Sequence, residues 1–188
     1  MAVPAFIEAI SAGITSGTSY TVNYADFTTA PVVGDRLICV VVIDRDDATG
    51  TTVTGFTLLQ EDFLSSGSSS LYACVFERVA DATETGTVTV TLGNSANDGS
   101  NCSIMNYGDG TEETTPPSSE GQQTADTTPN AAGTVLSADT FRLIDICCYD
   151  SNSDIYTNSP TSFTDRVDLF LASSGCGIGA GDISQLGD

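Results

Sequence analysis

The sequence has no lysine, no histidine and no tryptophan, and its five arginines stand against 25 aspartates and glutamates. Each absence removes chemistry. Without histidine there is no imidazole general base, no Ser-His-Asp or Cys-His pair and no imidazole metal ligand. Without lysine there is no Schiff base and no ammonium of the P-loop kind to hold a phosphate. A formal charge of −20 over 188 residues repels phosphate backbones and anionic headgroups. Arg36, Arg45, Arg78, Arg142 and Arg166 are too scattered to form a basic patch against it. Neither nucleic acid nor a membrane surface is expected as a partner.

Long apolar runs are missing too. No stretch approaches the roughly 20 residues that a membrane helix needs. The opening MAVPAFIEAISAGITSG has no basic n-region and carries Pro4 and Glu8, so no signal peptide is expected and synthesis is placed in the cytoplasm. What is present suits a folded chain: hydrophobic residues make up 40% and mean hydropathy is +0.05, so the acid must lie on surfaces and loops. Such a surface stays soluble by self-repulsion and suits a saline medium, where screening weakens that repulsion.

The six cysteines are placed as core residues. Cys39 lies within Leu37 to Val42, Cys74 within Leu71 to Phe76, and Cys147 and Cys148 are adjacent within Leu143 to Tyr149. Cysteine in apolar strands behaves as a small hydrophobe, so free buried thiols are expected. A zinc site is disfavoured because no C-x-x-C pair exists and neighbours on a strand point to opposite faces.

Short apolar stretches punctuated by glycine, serine and threonine predict many strands and few helices. Ala5 to Ile14 is the nearest helical candidate. Tyr20, Val22 and Tyr24 share one face by alternation. After a turn at Pro31 to Asp35, Leu37 to Ile43 is continuously apolar, as a strand buried on both faces would be. Val53 to Leu59 reads as a strand interrupted by Gly55, and Ser65 to Ser70 as a flexible tip before a strand at Leu71 to Val79. Val88, Val90 and Leu92 alternate with threonines as a half-exposed strand. Strands follow at Cys102 to Tyr107, Phe141 to Tyr149 and Val167 to Leu171, and Gly175 to Asp188 reads as a polar, glycine-rich end.

About nine strands in a single domain over 1–188 predict an all-β fold, an antiparallel β-sandwich of jelly-roll type built from two layers. An N-terminal arm (about 1–14) and a long loop (108–133) without large apolar residues complete the plan. Both are candidate contacts with another subunit, the loop because its composition lets it lie extended across a neighbour.

Several segments carry a resemblance. Val33-Gly34-Asp35-Arg36-Leu37-Ile38-Cys39-Val40-Val41-Val42 is followed by Gly55-Phe56-Thr57-Leu58-Leu59, then by Leu71 to Ala80, then by Gly86 to Leu92. That order resembles β-sandwich modules of bacteriophage virion structural proteins, also seen in some bacterial surface proteins, over about residues 15 to 175. Phe56 stands where that pattern commonly has tryptophan. The resemblance implies a fold and an attaching role, with no catalytic residue to carry over. It also implies one or two further strands after Asp182 to Gln185, so the last strand is expected to be lost or borrowed from a partner by edge pairing.

Asp44, Asp46 and Asp47 are the calcium candidates, since hard cations want clustered carboxylates and carbonyls. The spacing lacks the closing glutamate of an EF-type loop, and a solvated acidic turn is the plainer reading. Asp150 to Asp154 is a weaker candidate, and Asn97-Asp98-Gly99 is simply a turn. A glycosidase pair could be drawn from Glu77, Asp145 and Asp168. These acids are as readily outward-facing, or paired with Arg78, Arg142 and Arg166. Tyr107, Tyr149 and Tyr156 could stack on a sugar or fill the core.

The expectation is therefore no enzyme, no cofactor and no metal site. The chain is expected to be a virion structural protein, foremost a capsid decoration or cement protein on the virion surface, made in the host cytoplasm. Its partners would be capsid or tail subunits, or further copies of itself in a homo-oligomer or lattice. The alternatives are a carbohydrate-binding module of a tail fibre or cell surface, and a filament or tail subunit completed by a donated strand.

Overall fold

The computed structural model describes residues 5–45, 47–66, 69–96, 99–108, 140–150, 164–170 and 176–186. They form an all-β antiparallel sandwich. The strands are β1 (Ala5–Ile14), β2 (Gly17–Asn23), β3 (Arg36–Ile43), β4 (Thr52–Val53), β5 (Thr57–Ser66), β6 (Ser69–Val79), β7 (Thr87–Ala96), β8 (Ser100–Gly108), β9 (Thr140–Asp150), β10 (Thr164–Phe170) and β11 (Cys176–Leu186), with one 3-10 turn at Tyr24–Asp26.

They assemble as three sheets, ordered β1-β8-β3-β6-β5, β2-β7-β4 and β10-β11-β9. The five-stranded sheet is the middle layer. Its strand β3 shows why. Leu37, Cys39, Val41 and Ile43 point into a first core shared with Tyr20 and Val22 of β2, Val53 of β4 and Val88, Val90 and Leu92 of β7. Ile38, Val40 and Val42 point the other way, into a second core with Val167, Cys176, Ile178 and Ala180. Side chains alternate across a strand, so a continuous apolar run is satisfied only when both faces are covered. Each such burial stabilises the fold by roughly 1.5–3 kcal/mol relative to exposure.

Two layers were expected and three are found, because the segments after the long loop add a separate sheet on the far face of β3 and β8. A jelly roll divides its strands between two sheets; here they are divided among three. The stretch Val53 to Leu59 is also not one strand. Gly55 takes φ 80° in a turn closed by Phe56 N donating to Val53 O at 3.0 Å, a positive-φ position that favours glycine. The turn carries the chain from β4 in one sheet to β5 in another.

Ala5 to Ile14 is neither a helix nor a free arm. It forms β1, paired along its length with β8, and Ile10 enters the first core. The end read as a polar tail contains β11, which lies between β10 and β9 and pairs with both. Ser65 to Ser70 holds the facing ends of the β5–β6 hairpin. Of the long loop, only Gly108 is among the described residues.

Edges are blunted by bulges. The single extra residues Ile7 in β1, Leu59 in β5 and Arg166 in β10 all fall on edge strands. A bulge twists an open edge away from flat pairing with another chain.

Candidate functional site

One end of the sandwich collects the features that a docking face needs. The start of β3, the end of β6 and the start of β5 meet there, with the loop 24–35 and the turn 80–86 beside them. Val32, Val33 and Val79 are 51%, 69% and 49% exposed at this end, with Ile7 and Leu58 exposed nearby on β1 and β5. Phe63, 59% exposed, lies further along β5. Exposed valines on a turn gain nothing from the fold's own core.

The backbone beneath these side chains is tied down. Gly34 N donates to Ala80 O at 2.9 Å, Ala80 N to Asp35 O at 2.8 Å, and Glu84 N to Pro31 O at 3.0 Å. Asp35, itself buried, accepts from Val32 N at 2.9 Å and from Asn106 Nδ2 at 3.3 Å. Glu8 reaches from β1 to accept from Thr28 N, Thr28 Oγ1 and Thr29 N at 2.8, 3.0 and 3.3 Å. Carboxylates accepting several backbone amides hold a loop more firmly than neutral contacts do. The loop is preorganised, which lowers the ordering cost of binding.

The arginines at this end are consumed internally. Arg78 Nη2 lies 2.9 Å from buried Glu84 and 3.4 Å from Asp81. Arg36 faces Glu77 at 3.4 Å. Arg166 grips buried Asp182 through Nε at 2.9 Å and Nη2 at 3.1 Å, while its guanidinium sits 4.6 Å over the Phe6 ring. Positive charge is thus spent on bracing. Tyr24, stacked on Phe27, has its hydroxyl pKa pushed up to about 12, first by burial and then by the charge of Glu84.

The candidates from sequence fall elsewhere or into other roles. Asp44 and Asp47 lie at the opposite end of the molecule, and Asp46 is outside the described residues. Asp47 Oδ1 accepts from Thr49 N at 3.1 Å and its carbonyl accepts from Asn94 Nδ2 at 2.9 Å, so its carboxylate caps a turn. Among the described residues, no group of three or more cysteine or carboxylate side chains is placed to hold a metal ion. Of the stretch Asp150 to Asp154, only Asp150 is described.

Glu77 pairs with Arg36, and Asp168 is exposed on β10; the side chain of Asp145 is outside the described set. The two that are described stand on different sheets, Glu77 on β6 and Asp168 on β10. Tyr107 is buried, edge-on to Phe6 at 5.5 Å, and so fills the core, whereas the Tyr149 side chain and Tyr156 lie outside the described residues. Cys39, Cys74, Cys102 and Cys176 are buried and Cys148 is half-buried, and none of these five is in a disulfide.

Sequence reasoning missed the apolar end, although Pro31-Val32-Val33-Gly34 held a signal for it: two β-branched apolar residues inside a turn. Comparison with protein-family models, with curated proteins and with solved structures finds no match.

Proposed function

We propose that this chain is a structural protein of a bacteriophage virion, a decoration or cement protein that attaches to the outer shell through its braced apolar end. The observation carrying this reading is that exposed Val32 and Val33, on a loop tied down by buried Asp35, lie beside exposed Val79 at the end of β6, within a chain of charge −20. Exposed apolar side chains gathered on and beside a preorganised loop mark a contact face. The acidic remainder favours an outward position and disfavours contact with packaged DNA. Affinity for the assembled lattice, but not for free subunits, becomes lattice stability by mass action. No reaction is required.

The test is co-sedimentation of the purified chain with undecorated shells, using Val33→Asp together with Val79→Asp as the comparison. Both positions are exposed, so the doubly substituted chain should keep its melting temperature while losing more than tenfold in shell affinity. Location only inside particles, against DNA, would overturn the placement. Unaltered affinity in the substituted chain would overturn the face.

A further inference from the structure

Two thiols meet in the first core. Cys39 Sγ and Cys102 Sγ are 3.3 Å apart, and both residues are fully buried. They sit on the neighbouring strands β3 and β8, where Val41 pairs with Cys102 and Cys39 with Ile104. The two cysteines are therefore diagonal partners on one face of the middle sheet. Cys74 joins the same face from β6, opposite Val41 on its other side. A disulfide needs an S–S separation of about 2.05 Å, so the two sulfurs must close by roughly 1.2 Å, and since diagonal partners ordinarily have α-carbons about 7–8 Å apart the two strands must draw together slightly as they do.

We propose that Cys39 and Cys102 form a modification site, a latent cross-link that a peroxide converts from dithiol to disulfide within the folded protein, stapling β3 to β8. The chemistry balances in two steps. One thiol attacks the O–O bond of hydrogen peroxide, giving a sulfenic acid and one water. The second thiol then attacks the sulfenic sulfur; the S–S bond forms and a second water leaves. The two sulfurs together lose two electrons, and the peroxide is reduced to two waters.

Burial governs the rate. Desolvation, with the neighbouring Cys102 adding to it, holds the Cys39 thiol well above its usual pKa, so it stays protonated at neutral pH and the thiolate is scarce. Peroxide must also pass the β2-β7-β4 layer. The reaction is therefore slow, and faster in alkaline buffer. The staple ties two residues 63 positions apart, and closing so long a loop restricts the unfolded chain strongly. This inference rests on the sulfur geometry and is independent of the attachment reading.

Arginines make the linkage easy to map. Cleavage after arginine puts Cys39 in residues 37–45, Cys74 in 46–78 and Cys102 in 79–142. The full-length folded chain is exposed to hydrogen peroxide without denaturant, quenched, denatured with an alkylating agent and digested. The expected product is about 2 Da lighter than the dithiol and joins peptide 37–45 to peptide 79–142. Its melting temperature should rise by about 5–10 °C, a rise that dithiothreitol reverses.

Cys74→Ala should leave the bridge intact and Cys39→Ala should abolish it. Should Cys39→Ala fail to fold, the peptide map of the unsubstituted chain decides alone. Recovery of Cys39 and Cys102 both alkylated, a bridge that uses Cys74, or a bridge that forms only once denaturant unfolds the chain would each overturn the proposal.

Discussion

Replacing Val40 by alanine and, in a separate protein, Val41 by alanine interrogates the two cores one at a time. Both side chains are fully buried, yet Val40 belongs to the second core and Val41 to the first. Each substitution removes two methyl groups, about 1.6 kcal/mol of transfer free energy at ~0.8 kcal/mol per group. The cavity left in an unrelaxed core, about 40–50 Å³ at ~24 cal/mol per Å³, adds about 1 kcal/mol. Each variant should therefore lose about 2–3 kcal/mol, seen as a fall in melting temperature of about 5–10 °C. Urea titration checks this: the midpoint should shift while the slope stays unchanged. The side chains line different cores but adjoin in the chain, so the double variant's departure from the sum measures coupling through the β3 backbone. In a two-layer sandwich one of the two positions would face solvent. A cost below about 0.5 kcal/mol at either valine, the scale of an ordinary surface change, would refute the three-layer arrangement.

The Arg166–Asp182 pair gives a second test. Arg166→Met strands a buried carboxylate and should cost about 3–5 kcal/mol, whereas Arg166→Met with Asp182→Leu should recover most of it in thermal unfolding. The raised hydroxyls of Tyr24 and Tyr72, both pushed up to about 12 mainly by burial, predict an alkaline profile. The unfolded chain releases these protons near pH 10 while the folded chain keeps them, so their contribution to stability is held below pH 10 and lost between pH 10 and 12. A double Tyr→Phe variant should flatten that decline in pH-dependent urea titrations. Tyr24→Phe alone should be neutral or stabilising near pH 7, because the hydroxyl is buried without a hydrogen-bond partner among the described residues. Gly93→Ala should destabilise by about 1–3 kcal/mol, since a Cβ there would overlap the backbone carbonyl oxygen of Thr49. Melting in EDTA should match melting in buffer, as expected if Asp47 caps a turn and holds no calcium.

Much of the first two sheets was legible because their signals are local. The uninterrupted run from Leu37 to Ile43 announced burial on both faces, and the alternation of Val88, Val90 and Leu92 with threonines announced a one-faced strand. Two strands were hidden for opposite reasons. In Ala5 to Ile14 the apolar residues Phe6, Ile10 and Ile14 fit a helical spacing as well as an extended one, and pairing with β8 decides between them. In β11, Gly177, Gly179 and Gly181 suppress strand propensity, although Cys176, Ile178, Ala180 and Asp182 between them keep a strict period of two and are buried. The candidate site was hidden more deeply. That Val32 and Val33 are left outside while Asp35 is drawn in depends on Asn106, 71 positions away.

Composition by itself disposed of histidine and lysine chemistry and of a basic binding surface, and residue periodicity by itself established an antiparallel β protein with free core thiols. Those properties follow from side-chain chemistry and from the two-residue repeat of an extended chain, both present in any short window. The number of layers, the division of residues 53–59 between two sheets, the approach of Cys39 to Cys102 and the gathering of exposed valines at one end were settled only by tertiary pairing. Each depends on which distant strands become neighbours, and that choice follows from the packing of the whole chain.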